Sequence, residues 1–368
     1  MKKLLFILPA LPDYEPYVFN YFRIAEENTI SYDVVCWNRK GEKVELPDNY
    51  LVYQHPTNDA YSKLKKIKEI YGFYRFVRKT ILGKEYQTVF TFTIADSVFF
   101  TSFLTHKYKG RYVFDIRDYS PMIKNRFFYT KIKRLIRNSA CNVISSEGFK
   151  VWLPSQYKYI VCHNTDVEKI KQSTASHKKV ENNKKELTVL TIGSIRNIAT
   201  NQRVIDALSN KKDIKLRFVG DGMGAPVLKL YCEENRYNNI EFYGRYKKTE
   251  EDGFVMESDF INILLPRCAN SDYVMANRFY LSALFRKPMI VNEGCFQAEQ
   301  AKKYGLGLVV ADIDNLYETL VSYWENLDWN QYDANCSRFL DVVFDEMQVF
   351  KDTIKKIMIR EIIADSFN

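Results

Sequence analysis

The chain has 368 residues, of which 46% are hydrophobic and 15% aromatic, and its formal net charge is +9. This composition excludes a disordered chain, and the length exceeds what one hydrophobic core usually supports, so we expect two folded domains. The 7 cysteines form no C-x-x-C pair and the 4 histidines are scattered, which argues against a disulfide framework and a metal site and favours a reducing compartment.

The N-terminal segment MKKLLFILPALP combines two lysines with a short apolar run. Pro9 and Pro12 interrupt the run, and no cleavage pattern of small residues follows it. We therefore predict a buried first strand at 4–8 and not a secretory signal. No other run reaches the roughly 18 apolar residues of a membrane-spanning helix. The expected location is the cytoplasm, either free or bound peripherally at the inner face of the membrane.

Short β-rich runs alternate with amphipathic stretches along the whole chain, which is typical of parallel sheets wrapped by helices. In the first half, strands are predicted at 4–8, 32–37, 50–54, 88–92, 111–116, 142–146 and 159–162. A polar segment at 171–186 is the predicted interdomain linker. The alternation then restarts, with strands at 187–192, 214–219, 240–243, 260–265, 288–292 and 307–310, before a final amphipathic helix. The predicted domains are 1–170 and 187–343, followed by a C-terminal helix at 344–368.

The positive charge is confined to the first half. Residues 1–170 carry 27 Lys and Arg against 17 Asp and Glu, whereas 171–368 carry 27 against 28. Much of the excess lies in 61–84 and 124–139, and apolar positions in 61–84 recur at roughly helical spacing. These segments are either solvated helix faces above a buried stripe or interfacial helices attracted to anionic lipid. No recognisable reading motif supports a nucleic-acid partner.

An ordered series of motifs occupies the second half. The first motif, VLTIGSIRN, carries Gly193 and Arg196, and the second, LRFVGDGMG, carries Gly220 and Gly222. The third, ANRFYLSALFRKPMIVNEG, carries Asn277, Arg278 and Gly294, and the fourth, QAEQ, carries Glu299. Over most of 187–310 this series resembles the nucleotide-sugar domain of GT-B glycosyltransferases, particularly family 4 of the bacterial capsular and exopolysaccharide type. The resemblance implies an α/β GT-B fold, in which two Rossmann-like domains face a central cleft and a C-terminal helix packs back on the N-terminal domain.

The resemblance also implies a donor site for a nucleoside diphosphate sugar, with a UDP-sugar favoured over a GDP-sugar and no metal or other cofactor. A glycine after a strand lets the backbone approach a diphosphate, and the next helix N-terminus offers free N–H groups. In the family an Arg and a Lys hold the diphosphate, but Ala199 takes the usual Lys position here. Our hypothesis is that Arg196 and Arg278 form the cationic pair. Glu299 matches a family glutamate that faces the donor.

One departure concerns the pair of glutamates, seven residues apart, that many family 4 enzymes carry. The matching positions are Tyr273 and Leu281. A ribose contact would then come from Asp272, Asn270 or the backbone, and the retaining mechanism of the family is left open.

In the first half, the string YVFDIRDYSP resembles the strand and loop of these enzymes in which an acidic residue faces the cleft. Asp118 is the leading catalytic candidate, followed by Asp115 and Arg117. Asp118 would orient the acceptor hydroxyl or stabilise positive charge at the anomeric carbon. The alternative is that Asp118 caps a helix that begins near Pro121.

The implied reaction is sugar transfer to an acceptor hydroxyl, with a lipid-linked glycan of surface polysaccharide synthesis as the acceptor. Three alternatives stay open: a catalytically inert GT-B subunit of another transferase, an enzyme that glycosylates a protein adhesin, and a sugar-nucleotide 2-epimerase.

Overall fold

The computed structural model describes residues 3–58, 61–173 and 184–364. The chain divides into two compact units, Met1–His163 with Glu346–Asn368, and Asn164–Asp345. We call them the first and second units. The middle of the linker predicted at 171–186 lies outside the described residues.

The first unit is built on seven parallel strands in the order β3-β2-β1-β4-β5-β6-β7. Most of these strands are buried along nearly their whole length, because helices cover a parallel sheet on both faces. The strands are β1 Lys3–Leu8, β2 Tyr32–Asn38, β3 Tyr50–Gln54, β4 Tyr86–Phe92, β5 Tyr112–Ile116, β6 Cys141–Ile144 and β7 Ile160–Val161.

Five helices precede the last strand of this sheet: α1 Val18–Glu27, α2 Lys63–Thr80, α3 Ile94–Ser97, α4 Thr101–Lys107 and α5 Arg126–Asn138. The helices α2, α4 and α5 connect strands in the same direction across the sheet, so right-handed crossovers place them on one face. A short 3-10 helix, Val98–Phe100, lies against all three. Each of these helices runs back from the carboxyl edge of the sheet, where its N-terminus begins.

The second unit contains six parallel strands in the order β10-β9-β8-β11-β12-β13. The strands are β8 Leu187–Ile192, β9 Ile214–Val219, β10 Ile240–Gly244, β11 Phe260–Asn262, β12 Met289–Asn292 and β13 Gly307–Val310. The helices are α6 Val167–Ser173, α7 Ile198–Leu208, α8 Gly224–Glu234, α9 Glu251–Met256, α10 Asn277–Leu284, α11 Phe296–Tyr304 and α12 Leu316–Asn326. Apolar clusters on both faces of the sheet form its core.

The last helix, α13, spans Trp329–Ala364 and so begins earlier than the predicted 344. Its C-terminal part belongs to the first unit, as predicted. Phe350 packs edge-on against Tyr21 with ring centroids 5.0 Å apart, and the Gln87 side chain donates a hydrogen bond of 2.9 Å to the carbonyl of Met358. No helix among the described residues has the length and apolar character needed to cross a membrane.

The strand predicted at 260–265 is shorter in the structure. β11 ends at Asn262 because side-chain amides replace the strand ladder from that point: Asn262 Oδ1 accepts a hydrogen bond of 3.0 Å from the Leu264 N–H, and Asn292 Oδ1 accepts one of 2.7 Å from Leu265. The chain therefore leaves the sheet at the carboxyl edge, where it leads into the loop before α10.

Candidate functional site

The loops after β8 and β9 pack directly on each other at the carboxyl edge of the second sheet. A Cβ atom at Gly220, where φ is +137°, would lie 1.9 Å from the Gly193 carbonyl oxygen, and one at Gly222 would lie 2.5 Å from the Ile195 oxygen. The glycines at 220 and 222 are thus required by loop packing. Gly193 differs, because its φ is +100° and nothing lies within 4 Å of the Cβ position. Of these three glycines, only Gly193 has open space at its Cβ position.

Arg278 lies in the first turn of α10, at the same edge of the sheet. Its Nη1 donates a hydrogen bond of 2.9 Å to the main-chain oxygen of Asn262, whose side chain is buried and bonded to Thr191. Desolvation lowers the pKa of Arg278 to about 10, although Tyr246 opposes this shift. No carboxylate in the described part of the chain forms an ion pair with it. Arg278 is therefore a largely desolvated cation without a counter-charge from the described residues, which is costly unless an anion binds.

Arg196 lies in the loop before α7 and is exposed, and its Nε donates a hydrogen bond of 2.7 Å to the Ser194 hydroxyl. Asn277 is the first residue of α10 and is also exposed. Helix N-termini attract anions through their unpaired N–H groups and positive dipole ends. The N-termini of α7 and α10 and the two arginines thus offer positive charge at one edge of the sheet.

A third arginine, Arg267, organises this edge and has no local sequence signal. Its Nε donates to Asp272 at 2.7 Å, and its two terminal nitrogens donate to the carbonyl oxygens of Glu293 and Gly294 at 2.6 and 2.8 Å. Arg267 thereby fastens the turn before α11, where a Cβ atom at Gly294 would lie 2.7 Å from its Nη1. Asp272, a candidate ribose ligand, is engaged in the same network.

Glu299 is the fourth residue of α11 and is exposed. Its predicted contact with the donor stays a prediction, as does that of Asn277.

In the first unit, Asp115 is fully buried on β5. The Tyr21 hydroxyl donates a hydrogen bond of 2.7 Å to its Oδ2, and Arg117 Nε lies 2.9 Å from its Oδ1. Burial raises the pKa of Asp115, while Arg117 and Tyr21 lower it. Arg117 in turn donates to the Cys162 carbonyl at 2.9 Å and lies over the Tyr17 ring at 4.0 Å. These contacts favour a structural role for Asp115 over the predicted catalytic one.

Asp118 follows β5 and is exposed in the loop that leads to the 3-10 helix Pro121–Lys124. The alternative that Asp118 caps this helix is wrong, because the Ser120 side chain accepts the hydrogen bond from the Met122 N–H. Desolvation by the surrounding protein raises the pKa of Asp118, and Arg117 opposes this shift. The Asp118 carboxylate is therefore not used as the cap of this helix.

Two further carboxylates accompany Asp118 at the carboxyl edge of the first sheet, and sequence analysis missed both. Glu15 follows β1 and Asp96 follows β4. We call Glu15, Asp96 and Asp118 the acidic cluster. Desolvation, together with the charges of Asp118 and Asp96, raises the pKa of Glu15 to about 7 against the opposing effects of Tyr17 and Arg39.

Asp96 is only 6% exposed, and it is held by Thr93 Oγ1 at 3.0 Å and Arg39 at 3.2 Å. Thr93 has φ 61° and ψ 149°, a conformation that only glycine adopts without strain. A signal for these residues existed: Glu15, Arg39 and Asp96 each come shortly after a predicted strand, and parallel strands end at the same edge.

No group of three or more His, Cys, Asp or Glu side chains suited to hold a metal ion occurs among residues 3–58, 61–173 and 184–364.

Comparisons with known proteins find similar solved structures but no similar sequences. No family model matches the chain, and no curated protein matches it significantly. A sucrose-phosphate synthase from Thermosynechococcus elongatus superimposes with a TM-score of 0.73 at 11% identity, covering 99% of this chain and 100% of that one. HepE from Anabaena, in complex with UDP, superimposes with a TM-score of 0.61 at 13% identity, covering 99% of this chain and 100% of that one. WaaG, a glycosyltransferase involved in lipopolysaccharide biosynthesis, superimposes with a TM-score of 0.63 at 13% identity, covering 95% of this chain and 99% of that one. The two Rossmann-like units and these full-length likenesses show that the chain has the GT-B fold.

Proposed function

We propose that the chain is a glycosyltransferase that moves a sugar from a nucleoside diphosphate sugar to an acceptor hydroxyl. The observation that carries this proposal is Arg278, a desolvated cation at a helix N-terminus for which residues 3–58, 61–173 and 184–364 provide no counter-charge. A diphosphate supplies the missing negative charge. The structures of HepE with UDP and with UDP-glucose support a UDP-sugar as the donor.

In this proposal the second unit holds the donor. The diphosphate lies near Gly193, where the backbone leaves open space, and Arg196 and Arg278 bind its oxygens. When the bond to the sugar breaks, negative charge grows on the departing phosphate. Guanidinium groups and helix N-termini that already point at this charge stabilise the transition state more than the bound donor.

The first unit holds the acceptor in this proposal, with Asp118 and Glu15 as its polar contacts. Carboxylates accept hydrogen bonds from sugar hydroxyls, and a carboxyl group whose pKa is about 7 accepts a proton readily at neutral pH. The resemblance to family 4 favours retention of the anomeric configuration. Glu15 acting as a general base would instead favour direct displacement and inversion. NMR of the first product formed from a UDP-α-sugar distinguishes an α from a β linkage.

The acceptor that we propose is a lipid-linked glycan in surface polysaccharide synthesis, made at the cytoplasmic face of the membrane as in capsule or exopolysaccharide assembly. The positive charge of residues 1–170 suits an acceptor that carries a lipid diphosphate at an anionic surface. A protein adhesin is an alternative acceptor. The inert-subunit alternative is favoured by Tyr273 and Leu281 at the glutamate positions and by Ala199.

Calorimetric titration with UDP, GDP, ADP and CMP tests the donor site. We expect saturable binding of UDP, and loss of at least about tenfold in affinity in Arg196→Ala, since a charge-assisted phosphate contact contributes 1.5–3 kcal/mol. Arg203→Ala is the matched control, because this arginine on α7 is exposed and paired with Asp312 and Asp314. Failure of every nucleotide to bind would favour the inert subunit.

A further inference from the structure

The N-terminal half of α2 presents an apolar stripe that the fold does not cover. Leu64, Ile67 and Tyr71 are 82%, 44% and 52% exposed, and their spacing places them on one face of the helix. The buried anchors of α2, Phe73 and Val77, occur only in its second half. Large apolar side chains that are exposed together on one face mark an interaction surface more often than isolated ones do.

Positive charge surrounds this stripe. Lys65, Lys66 and Lys68 are all exposed, and segment 61–84 contains a single acidic residue, Glu69. The Glu69 carboxylate lies against the His55 ring, and its single negative charge leaves a net positive surface beside the three lysines. The surface therefore combines an apolar stripe with flanking cations, a combination typical of helices that lie in the interface of an anionic membrane.

The topology of the first sheet places this surface near the acidic cluster. Helices α2 and α5 lie on one face of the sheet, and both begin at its carboxyl edge, where Asp118 is also found. Phe73 and Tyr74 of α2 pack on Phe100 with ring centroids 6.3 and 5.2 Å apart, and α5 lies against the same short helix. Phe127 in the first turn of α5 is 62% exposed. It therefore adds an aromatic side chain at the same edge.

We propose that Leu64, Ile67 and Tyr71 of α2, with Phe127 of α5, form a docking surface for an anionic lipid bilayer. The charge excludes a second copy as the favoured occupant, because two such surfaces would repel each other. The apolar stripe argues against nucleic acid, which is bound mainly through its phosphates. The inference rests on the proposed function in one respect: a lipid-linked acceptor would reach the acidic cluster from the membrane that this surface contacts.

Sedimentation of the full chain with vesicles tests the surface. One set of vesicles contains phosphatidylcholine alone, and the other contains in addition about a third phosphatidylglycerol. We expect binding only to the anionic vesicles, weakened by added salt. The double variant Leu64→Ser, Ile67→Ser should bind at least about tenfold more weakly. The matched control is Val227→Ser, Leu230→Ser on α8, which removes two apolar side chains of 44% and 55% exposure from the second unit.

A fluorescence measurement keeps the apolar stripe in place, so it does not depend on whether the Leu64→Ser, Ile67→Ser variant folds. Tyr71→Trp should shift its emission to the blue when anionic vesicles are added, because the indole leaves water. No binding to anionic vesicles, equal loss in both double variants, or no emission shift would overturn the proposal. So would binding of a DNA duplex that the Leu64→Ser, Ile67→Ser variant loses while its vesicle binding is unchanged.

UDP titration of the same samples separates this proposal from the proposed function. If the stripe variant loses vesicle binding and keeps UDP binding, the docking surface is supported and the donor site is intact. Vesicle binding without any nucleotide binding would refute the transferase and support the docking surface.

Discussion

Replacing Arg278 with methionine should make the ligand-free protein more stable while abolishing nucleotide binding. The fold desolvates the guanidinium and provides no carboxylate for it among the described residues, so the charge is a cost until an anion arrives. Methionine carries no charge and keeps an unbranched, flexible apolar side chain, two atoms shorter than that of arginine, which adapts to the space left. Ligand-free stability and ligand binding therefore respond in opposite directions to one substitution.

The magnitude follows from the lowered pKa. At about 1.4 kcal/mol per pKa unit, the fall to about 10 corresponds to roughly 3 kcal/mol, which partial solvent access reduces to about 2. Loss of the hydrogen bond to the Asn262 carbonyl lowers the free energy of unfolding by about 1 kcal/mol. The net gain is about 1 kcal/mol, or about 2 to 4 °C in the melting temperature of a unit of this size. The cost is present at every pH below about 10, where the group is charged in both the folded and unfolded states.

Thermal unfolding of the wild type and Arg278→Met, with and without UDP, measures both effects. UDP should raise the melting temperature of the wild type and leave that of the variant unchanged. Arg286→Met is the contrasting control, because Arg286 is buried and paired with Asp333 at 2.7 Å, and its loss should destabilise the chain. If Arg278→Met lowers the ligand-free melting temperature as Arg286→Met does, Arg278 is satisfied by the fold and the reasoning is wrong.

Three further substitutions test the packing and charges at the two sheet edges. Gly220→Ala should destabilise the second unit by about 2–4 kcal/mol in denaturant unfolding, because its Cβ would clash with backbone, whereas Gly253→Ala in the open at α9 should be neutral or stabilising. Glu15 has a pKa raised from 4.5 to about 7, so the wild type loses stability as pH rises through this range. The Glu15→Gln variant should therefore be more stable than the wild type by on the order of 2 kcal/mol above pH 7, and equally stable at pH 4. A stability difference that does not depend on pH would contradict the assignment. Asp115→Asn should cost about 3–5 kcal/mol because the buried Arg117 would lose the charge of its ion-pair partner. A stable but inactive Asp115→Asn protein would instead restore the catalytic role.

Sequence patterns predicted helix α5 and α2 equally well, yet their surroundings differ. In α5 the apolar stripe is buried through Ile132, Leu135 and Ile136, as expected of a solvated basic helix. In α2 the same type of stripe is buried only at Phe73 and Val77. Periodicity reports which side chains share a face, but only the packing partner decides whether that face is covered.

The sequence by itself determined the parallel α/β architecture, the division into two such units and the glycine-rich turns after β8 and β9. These features depend on hydrophobic periodicity and backbone freedom, which are local properties of the chain. Tertiary structure alone decided that Asp115 is buried, that Arg278 has no counter-charge among the residues the structure describes, and that Glu15 and Asp96 join Asp118. Electrostatic environments arise from residues that are distant in sequence and meet at the edge of a sheet. The ends of predicted strands indicate which residues can meet there, but only packing decides how deeply they are buried and which charges they face.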